Sequence, residues 1–198
     1  AHRVMSLGLV GVLQRPNHLG PDYLDAVAWA PLYSALEETG GVLAIHEALG
    51  LRAGTTIGSD RFTGFAARHA CSHPLEQMTA VVALLLGGVL ERHPTLRVAF
   101  LESGTGWLPY WLERMDHHYA RLGWLIPGCT RQPSEYFRRQ CMISVDPDEK
   151  TIPMVADLVG DEYMMWASDY PHFDCMFPGV VAELREAKVP AATLDKVL

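Results

Sequence analysis

The sequence lacks the long apolar runs and the clustered cysteines that mark several classes of protein. Its longest uncharged stretch, residues 78–90, is too short to cross a bilayer, which needs about 20 apolar residues. Cys71, Cys129, Cys141 and Cys175 are far apart and form no C-x-x-C pair, which disfavours a zinc ribbon or a dense disulfide framework. We therefore expect no transmembrane span, reduced thiols and a cytoplasmic location.

Positive charge and export signals are also scarce. The 198 residues include 16 Lys and Arg against 23 Asp and Glu, with a net charge of -7 and no basic cluster interleaved with aromatic residues. A nucleic acid partner is not expected, because a phosphate backbone would be repelled. The chain opens Ala1-His2-Arg3-Val4 without an initiator Met or an apolar export signal. No G-x-S-x-G motif surrounds a serine, which disfavours a serine hydrolase.

Hydrophobic residues are plentiful, at 49%, and their order predicts one domain over residues 1–198 in which strands and helices alternate. The predicted strands are 8–13, 42–46, 97–102, 141–145 and 164–168. The predicted helices are 31–39, 74–90, 106–122, 150–159 and 177–187. Pro74 is expected in the first turn of the second helix, after a cap at Ser72 or His73, and 51–71 reads as a loop. This alternation is typical of parallel βα units, and spacing alone also fits a doubly wound sheet.

Polar side chains follow each predicted strand, where parallel α/β folds bind their ligands. They are Gln14, Arg15, Asn17, His46, Glu47, Glu102, Ser103, Asp146 and Asp169. His46 is a candidate metal ligand, with a core histidine as the alternative. Asp169, just before the turn at Pro171, could hold a metal and take a proton from bound water, or could cap backbone amides. Asp146 fits a helix cap best.

Three further positions keep two interpretations each. Glu102 precedes Gly104 and Gly106, so the helix start after them could receive an anion, or Glu102 could cap that helix. His73 is a substrate ligand or a cap residue. His172 contacts the site or lies on the surface.

Several stretches also carry a resemblance to a known family. They are Pro31-Leu-Tyr-Ser-Ala-Leu-Glu-Glu, Ala44-Ile-His46, His73-Pro-Leu-Glu-Gln-Met78, Gly88-Val-Leu-Glu-Arg-His-Pro-Thr-Leu-Arg-Val-Ala-Phe-Leu-Glu102, Gly106-Trp-Leu-Pro-Tyr-Trp-Leu-Glu-Arg-Met-Asp116 and Trp166-Ala-Ser-Asp-Tyr-Pro-His172. Together they resemble the amidohydrolase-related family, which groups metal-dependent hydrolases with aminocarboxymuconate-semialdehyde-type and resorcylate-type decarboxylases.

The resemblance implies a (β/α)₈ TIM barrel with one divalent metal, zinc or manganese, at the C-terminal mouth. His46 matches the family's metal-binding His after the fifth strand, and Asp169 matches the Asp after the eighth. Glu102 lies where many decarboxylases carry a catalytic His. Nothing matches the His-x-His pair of the first strand, so we expect the C-terminal portion of a barrel without its first strands. Its open edges favour pairing with another chain, expected to be a homo-oligomer, or with missing residues.

We therefore expect a metal-dependent hydrolase that acts on a small organic acid, ester, lactone or amide through a metal-activated water. Asp169 and Glu102 are the expected catalytic residues, and His46 and Asp169 the metal ligands. His73, His172 and Asn17 are the expected substrate-binding residues. One alternative is a nonoxidative decarboxylase that uses the same ion. Another is a non-catalytic oligomeric binding module.

Overall fold

The computed structural model describes residues 1–17, 21–47, 56–173, 175, 177–186 and 189–197. Its centre is one parallel sheet of five strands in which each strand pairs with the next along the chain. The strands are β1 (Gly11–Gln14), β2 (Val42–His46), β3 (Arg97–Leu101), β4 (Cys141–Val145) and β5 (Met164–Trp166). The five predicted strands are thus confirmed, with shorter bounds for β1, β3 and β5.

Helices connect these strands and precede or follow them. They are α1 (His2–Ser6), α2 (Ala30–Thr39), α3 (Phe65–Leu85), α4 (Val89–Arg92), α5 (Leu108–Leu122), α6 (Pro133–Gln140), α7 (Ile152–Leu158), α8 (Val180–Glu186) and α9 (Ala191–Val197). The sequence analysis did not predict α1, α6 or α9. Within the described ranges, no helix combines the length and the apolar character that a membrane crossing requires.

The start of α3 is the clearest error of the sequence analysis. Pro74 and its neighbours were expected to open this helix, but α3 begins at Phe65 and Pro74 lies inside it. The segment before Pro74 includes Ala66, Ala67 and Ala70, and alanine is the best helix former, so the helix extends towards the N-terminus. The part of the predicted 51–71 loop from Phe65 onward is therefore helical, while residues 51–55 lie outside the described residues.

The hydrophobic core lies between one face of the sheet and the helices. Successive side chains of a strand point to opposite faces, and Leu43, Ile45 and Phe100 are fully buried on the helical side. The ring of Phe100 stacks on Phe137 of α6, with the centroids 6.1 Å apart. Burial of these alternate residues holds the strands in register, so the residues that follow each strand are brought to one edge.

The opposite face of the sheet carries smaller and more exposed side chains. Ala44, Ala99, Met142 and Met165 line a largely apolar depression there, of about 730 Å³. The strand order is sequential, without the reversal that defines a doubly wound sheet. This order corresponds to consecutive strands of a TIM barrel, in which all helices lie outside the sheet.

Candidate active site

A cavity of about 510 Å³ opens where the strands end. His46 at the end of β2, Glu102 after β3 and Asp169 after β5 line it. Helix α3 contributes His69 and His73 to the same wall. The structure therefore brings His46, Glu102, Asp169 and His73 together, as the sequence analysis expected.

Glu102 lies between two imidazoles. Its Oε2 atom contacts Nε2 of His46, and its Oε1 atom lies 3.2 Å from Nε2 of His73. The Glu102 backbone N–H donates to Oγ of the buried Ser144, 2.8 Å away, while the residue adopts a left-handed φ of 55°. Two imidazoles thus contact the carboxylate of Glu102, and Ser144 holds its backbone.

These contacts shift the protonation equilibria of the pair. Partial burial disfavours the charged form of Glu102, but hydrogen bonds from His46 and His73 outweigh it and hold the pKa of the carboxyl well below its usual range. The hydrogen bond to Glu102 raises the pKa of His46, against the effect of burial.

A buried glutamine holds the two strand ends side by side. Nε2 of Gln77 in α3 donates to the carbonyl oxygens of Ile45 and Leu101, at 2.7 and 3.0 Å. These carbonyls belong to the residues immediately before His46 and Glu102. Gln77 is fully buried, so its two hydrogen bonds couple the helix to the ends of both strands. The sequence analysis missed Gln77, because a glutamine at an apolar helical position carries no chemical motif.

Asp169 and His172 form a second pair at the cavity. The Asp169 Oδ1 atom lies 2.6 Å from Nδ1 of His172, and the side chain of His172 is 56% exposed. Like Glu102, Asp169 has a left-handed φ, 56°. Ligand atoms of Glu102, Asp169 and His172 lie within 4.8 Å of one another. Their donor set of two carboxylates and an imidazole fits a divalent cation such as zinc or manganese.

The expected helix caps differ from what the structure shows. Glu149, not Glu102 or Asp146, covers the helix start before α5: its carboxylate accepts from the backbone N–H groups of Thr105 and Gly106, at 2.8 and 2.6 Å. The carboxylate of Glu149 therefore occupies the place at which the sequence analysis expected an anion to bind. Asp146 instead lines the cavity, where desolvation and the negative charge of Glu149 raise the pKa of its carboxyl to about 6.

Asn17 lies apart from this cavity. It is 4% exposed and sits beside the fully buried Glu47, whereas the described residues that line the cavity do not include it. Arg15 Nη2 lies 3.6 Å from Oε1 of Glu47, and burial raises the pKa of that carboxyl. Asn17 and Glu47 thus form a buried polar group, and neither is among the described residues that line the cavity.

His69 is a further residue that the sequence analysis missed. It precedes His73 by four residues, a spacing that places two side chains on one face of a helix. This spacing is visible in the sequence, but the predicted start of α3 was too late, so His69 was assigned to a loop. In the structure the two rings are 4.6 Å apart between centroids.

Comparisons with known proteins agree with this architecture. A family model described as amidohydrolase matches residues 1–198. A 2-amino-3-carboxymuconate-6-semialdehyde decarboxylase of Dictyostelium discoideum is 27% identical over 169 residues, which cover 85% of this chain and 45% of that protein. The chain therefore spans about half the length of this relative.

Solved structures show the same fold. The crystal structure of a 5-carboxyvanillate decarboxylase from Sphingomonas paucimobilis superposes with a TM-score of 0.79 at 27% identity, covering 99% of this chain and 58% of that one. A dihydroxybenzoic acid decarboxylase from Polaromonas sp. JS666, solved with bound manganese and 2-nitroresorcinol, has a TM-score of 0.77 at 18% identity, covering 98% of this chain and 59% of that one. Both are longer proteins whose fold this chain shares in part.

Proposed function

Because the chain belongs to the amidohydrolase family, we propose that it carries part of the active site of a metal-dependent, nonoxidative decarboxylase. The proposed substrate is a small aromatic or otherwise unsaturated carboxylic acid. The relatives described above support this reaction over hydrolysis, since the named activities of all three are decarboxylations.

The observation that carries the proposal is that His46, Glu102 and Asp169 line one cavity, with ligand atoms of Glu102, Asp169 and His172 within 4.8 Å of one another. A cavity lined by several carboxylates repels an acidic substrate unless a cation offsets their charge. We assign His46 and Asp169 to hold that cation, with Glu102 and His172 beside them. When bound, a divalent ion supplies a Lewis acid that offsets the charge of the substrate carboxylate.

Residues of the chain would then supply the proton that the reaction requires. Decarboxylation breaks the bond between the carboxylate and an unsaturated carbon, the electron pair stays on that carbon, and a proton must replace the departing CO₂. Asp169, 2.6 Å from His172, is the proposed donor to the carbon, and His172 resupplies it. Glu102 and His73 would line the substrate pocket beside them.

Hydrolysis is the second candidate, and one observation favours it. Glu102 places a carboxylate where the resemblance to decarboxylases leads one to expect an imidazole. A carboxylate can accept a proton from an attacking water, as a hydrolase of an ester or lactone requires. In this alternative Glu102 is the general base, and no carbon is protonated.

The two reactions are separated by their products. The purified protein, loaded with Zn²⁺ or Mn²⁺, is incubated with a panel of aromatic and muconate-type acids in D₂O, and with esters and lactones of similar size. For a decarboxylase we expect released CO₂ and one deuterium at the carbon that lost its carboxylate, seen by NMR. For a hydrolase we expect acid release without CO₂.

Substitutions test the proposed role of Asp169. Asp169→Asn should lower the rate of CO₂ release by a factor of about 100 or more, because the proposed proton donor is lost. Asp157→Asn, an exposed carboxylate of α7, is the matched control and should leave the rate unchanged. Full CO₂ release by the Asp169 variant would contradict the role of Asp169. Ester cleavage without any CO₂ release would replace the proposal by the hydrolytic alternative.

A further inference from the structure

We propose that His69, His73 and Glu102 form a second cation site, separate from the pair His46 and Asp169. One ligand atom from each of the three residues lies within 4.8 Å of the others. Small side-chain adjustments would bring such a set to the metal–ligand bond lengths of about 2.0–2.2 Å found for imidazole and carboxylate ligands. Two imidazoles and a carboxylate suit Zn²⁺, and also Co²⁺ or Mn²⁺.

Helix α3 places the imidazoles of His69 and His73 on the same side. His69 and His73 are four residues apart in α3, so they project from one face, in the way that two histidines of a helix can share a zinc ion. Gln77 continues the same stripe after another four residues, and its two hydrogen bonds hold the helix against the ends of β2 and β3. Buried contacts thus fix the helix that carries both rings relative to the strand end that carries Glu102.

The two oxygens of Glu102 face different partners. Oε2 contacts His46, which belongs to the first proposed cation, whereas Oε1 faces His73 at 3.2 Å. The rings of His46 and His73 lie on either side, with centroids 6.5 Å apart. A carboxylate held in this way can bridge two cations, one on each oxygen.

Aromatic packing is the competing explanation for His69. Its ring centroid lies 5.6 Å from that of Phe65 and 5.7 Å from that of Phe173. A histidine that only completes this cluster should be replaceable by phenylalanine, since both rings pack on aromatic neighbours. A histidine that binds a cation through nitrogen should not be replaceable in this way. This difference gives the substitution that tests the proposal.

The test counts cations. The protein is stripped with a chelator, equilibrated with Co²⁺ by dialysis and analysed for metal per chain, with circular dichroism to check folding. We expect His69→Phe to retain one Co²⁺ fewer than the unsubstituted protein. His117→Phe, at an exposed histidine of α5, should keep the full number. An undiminished cation count and affinity in His69→Phe would overturn the proposal.

A second measurement covers the case in which His69→Phe does not fold. The His46→Ala, Asp169→Ala double variant removes the first proposed pair, so one Co²⁺ should remain and its X-ray absorption should show imidazole scattering. Absence of bound cation, or a cation without imidazole ligands, would overturn the second site. Failure of the decarboxylase proposal shows instead as absence of CO₂ release, whatever the number of cations.

Discussion

Two carboxylate residues of the cavity adopt backbone conformations that side chains with a Cβ rarely take. Glu102 and Asp169 have φ values of 55° and 56°, and such residues cost on the order of 1 kcal/mol or more each. The surrounding contacts offset this cost: Ser144 accepts from the Glu102 backbone, and His172 pairs with Asp169. Strain of this kind concentrates at functional sites, in agreement with the roles proposed for both carboxylates.

Gln77 gives a prediction about a single residue. Gln77→Leu should lower the free energy of unfolding by about 1–3 kcal/mol, because two buried carbonyls lose their donor. Gln140→Leu is the matched control, since Nε2 of Gln140 also donates to two carbonyls, those of His93 and Leu96. Denaturant unfolding should show similar losses in both variants.

Cation affinity should distinguish these two glutamines. Gln77 supports the ends of β2 and β3 that carry His46 and Glu102, whereas Gln140 bonds before β3, at the other end of the sheet. Calorimetric titration with Zn²⁺ should therefore show weaker binding in Gln77→Leu and unchanged binding in Gln140→Leu. Equal effects of the two variants would mean that Gln77 acts on stability alone.

At the scale of elements, the agreement between sequence and structure follows the range of the interactions. Strands β2 and β4 occupy the predicted bounds, because a short continuous apolar run is a local signal that the sequence carries by itself. Helix α2 ends where Gly40 takes a φ of 67°, as the glycine signal predicts. The start of α3 was misplaced because a proline usually opens a helix, while here the alanine-rich segment before it extends the helix.

Helix α2 supplies a prediction on pH. Glu37 accepts from the backbone and hydroxyl of Thr95 and from His93, and these hydrogen bonds outweigh burial and lower the pKa of Glu37. A lowered pKa stabilises the fold above the ordinary value of about 4.5, and this contribution is lost as the pH falls. Glu37→Gln should cost about 2 kcal/mol at pH 7 and progressively less in acid.

Urea unfolding of the wild type and the variant at several pH values measures this difference. Glu38→Gln is the control: Glu38 is the next residue, it is 66% exposed, and its contact with His2 Nε2 is 3.4 Å long. Exposed ion pairs contribute little, so this substitution should change stability only slightly. A Glu37 effect that stays constant between pH 7 and pH 3 would contradict the assignment to an ionised carboxylate.

At the scale of the whole molecule, the sheet is open, with β1 and β5 as its two edges in the described ranges. Strand edges carry unpaired backbone groups that pair readily with other chains. Near the β1 edge, Leu9, Val10 and Leu13 are 54%, 81% and 60% exposed. An apolar edge of this kind favours association with another strand edge.

Self-association of the 198-residue chain is therefore predicted to depend on this edge. Leu13→Glu should shift the distribution towards the monomer in sedimentation velocity over a range of concentrations, because a charge would have to be buried on pairing. Leu158→Glu, at a leucine of α7 that is 55% exposed, should leave the distribution unchanged. Equal behaviour of both variants and the wild type would show that this edge is not a contact.

The sequence by itself determined the alternation of strands and helices and the family, and it pointed to His46, Glu102 and Asp169 at strand ends. These features depend on local periodicity and on short motifs, which can be recognised without knowledge of the tertiary contacts. Only the tertiary structure decided the sequential strand order, the position of Glu102 between His46 and His73, and the burial of Asn17 away from the cavity. Such features arise from packing between segments far apart in the chain, and no short stretch of sequence records that packing.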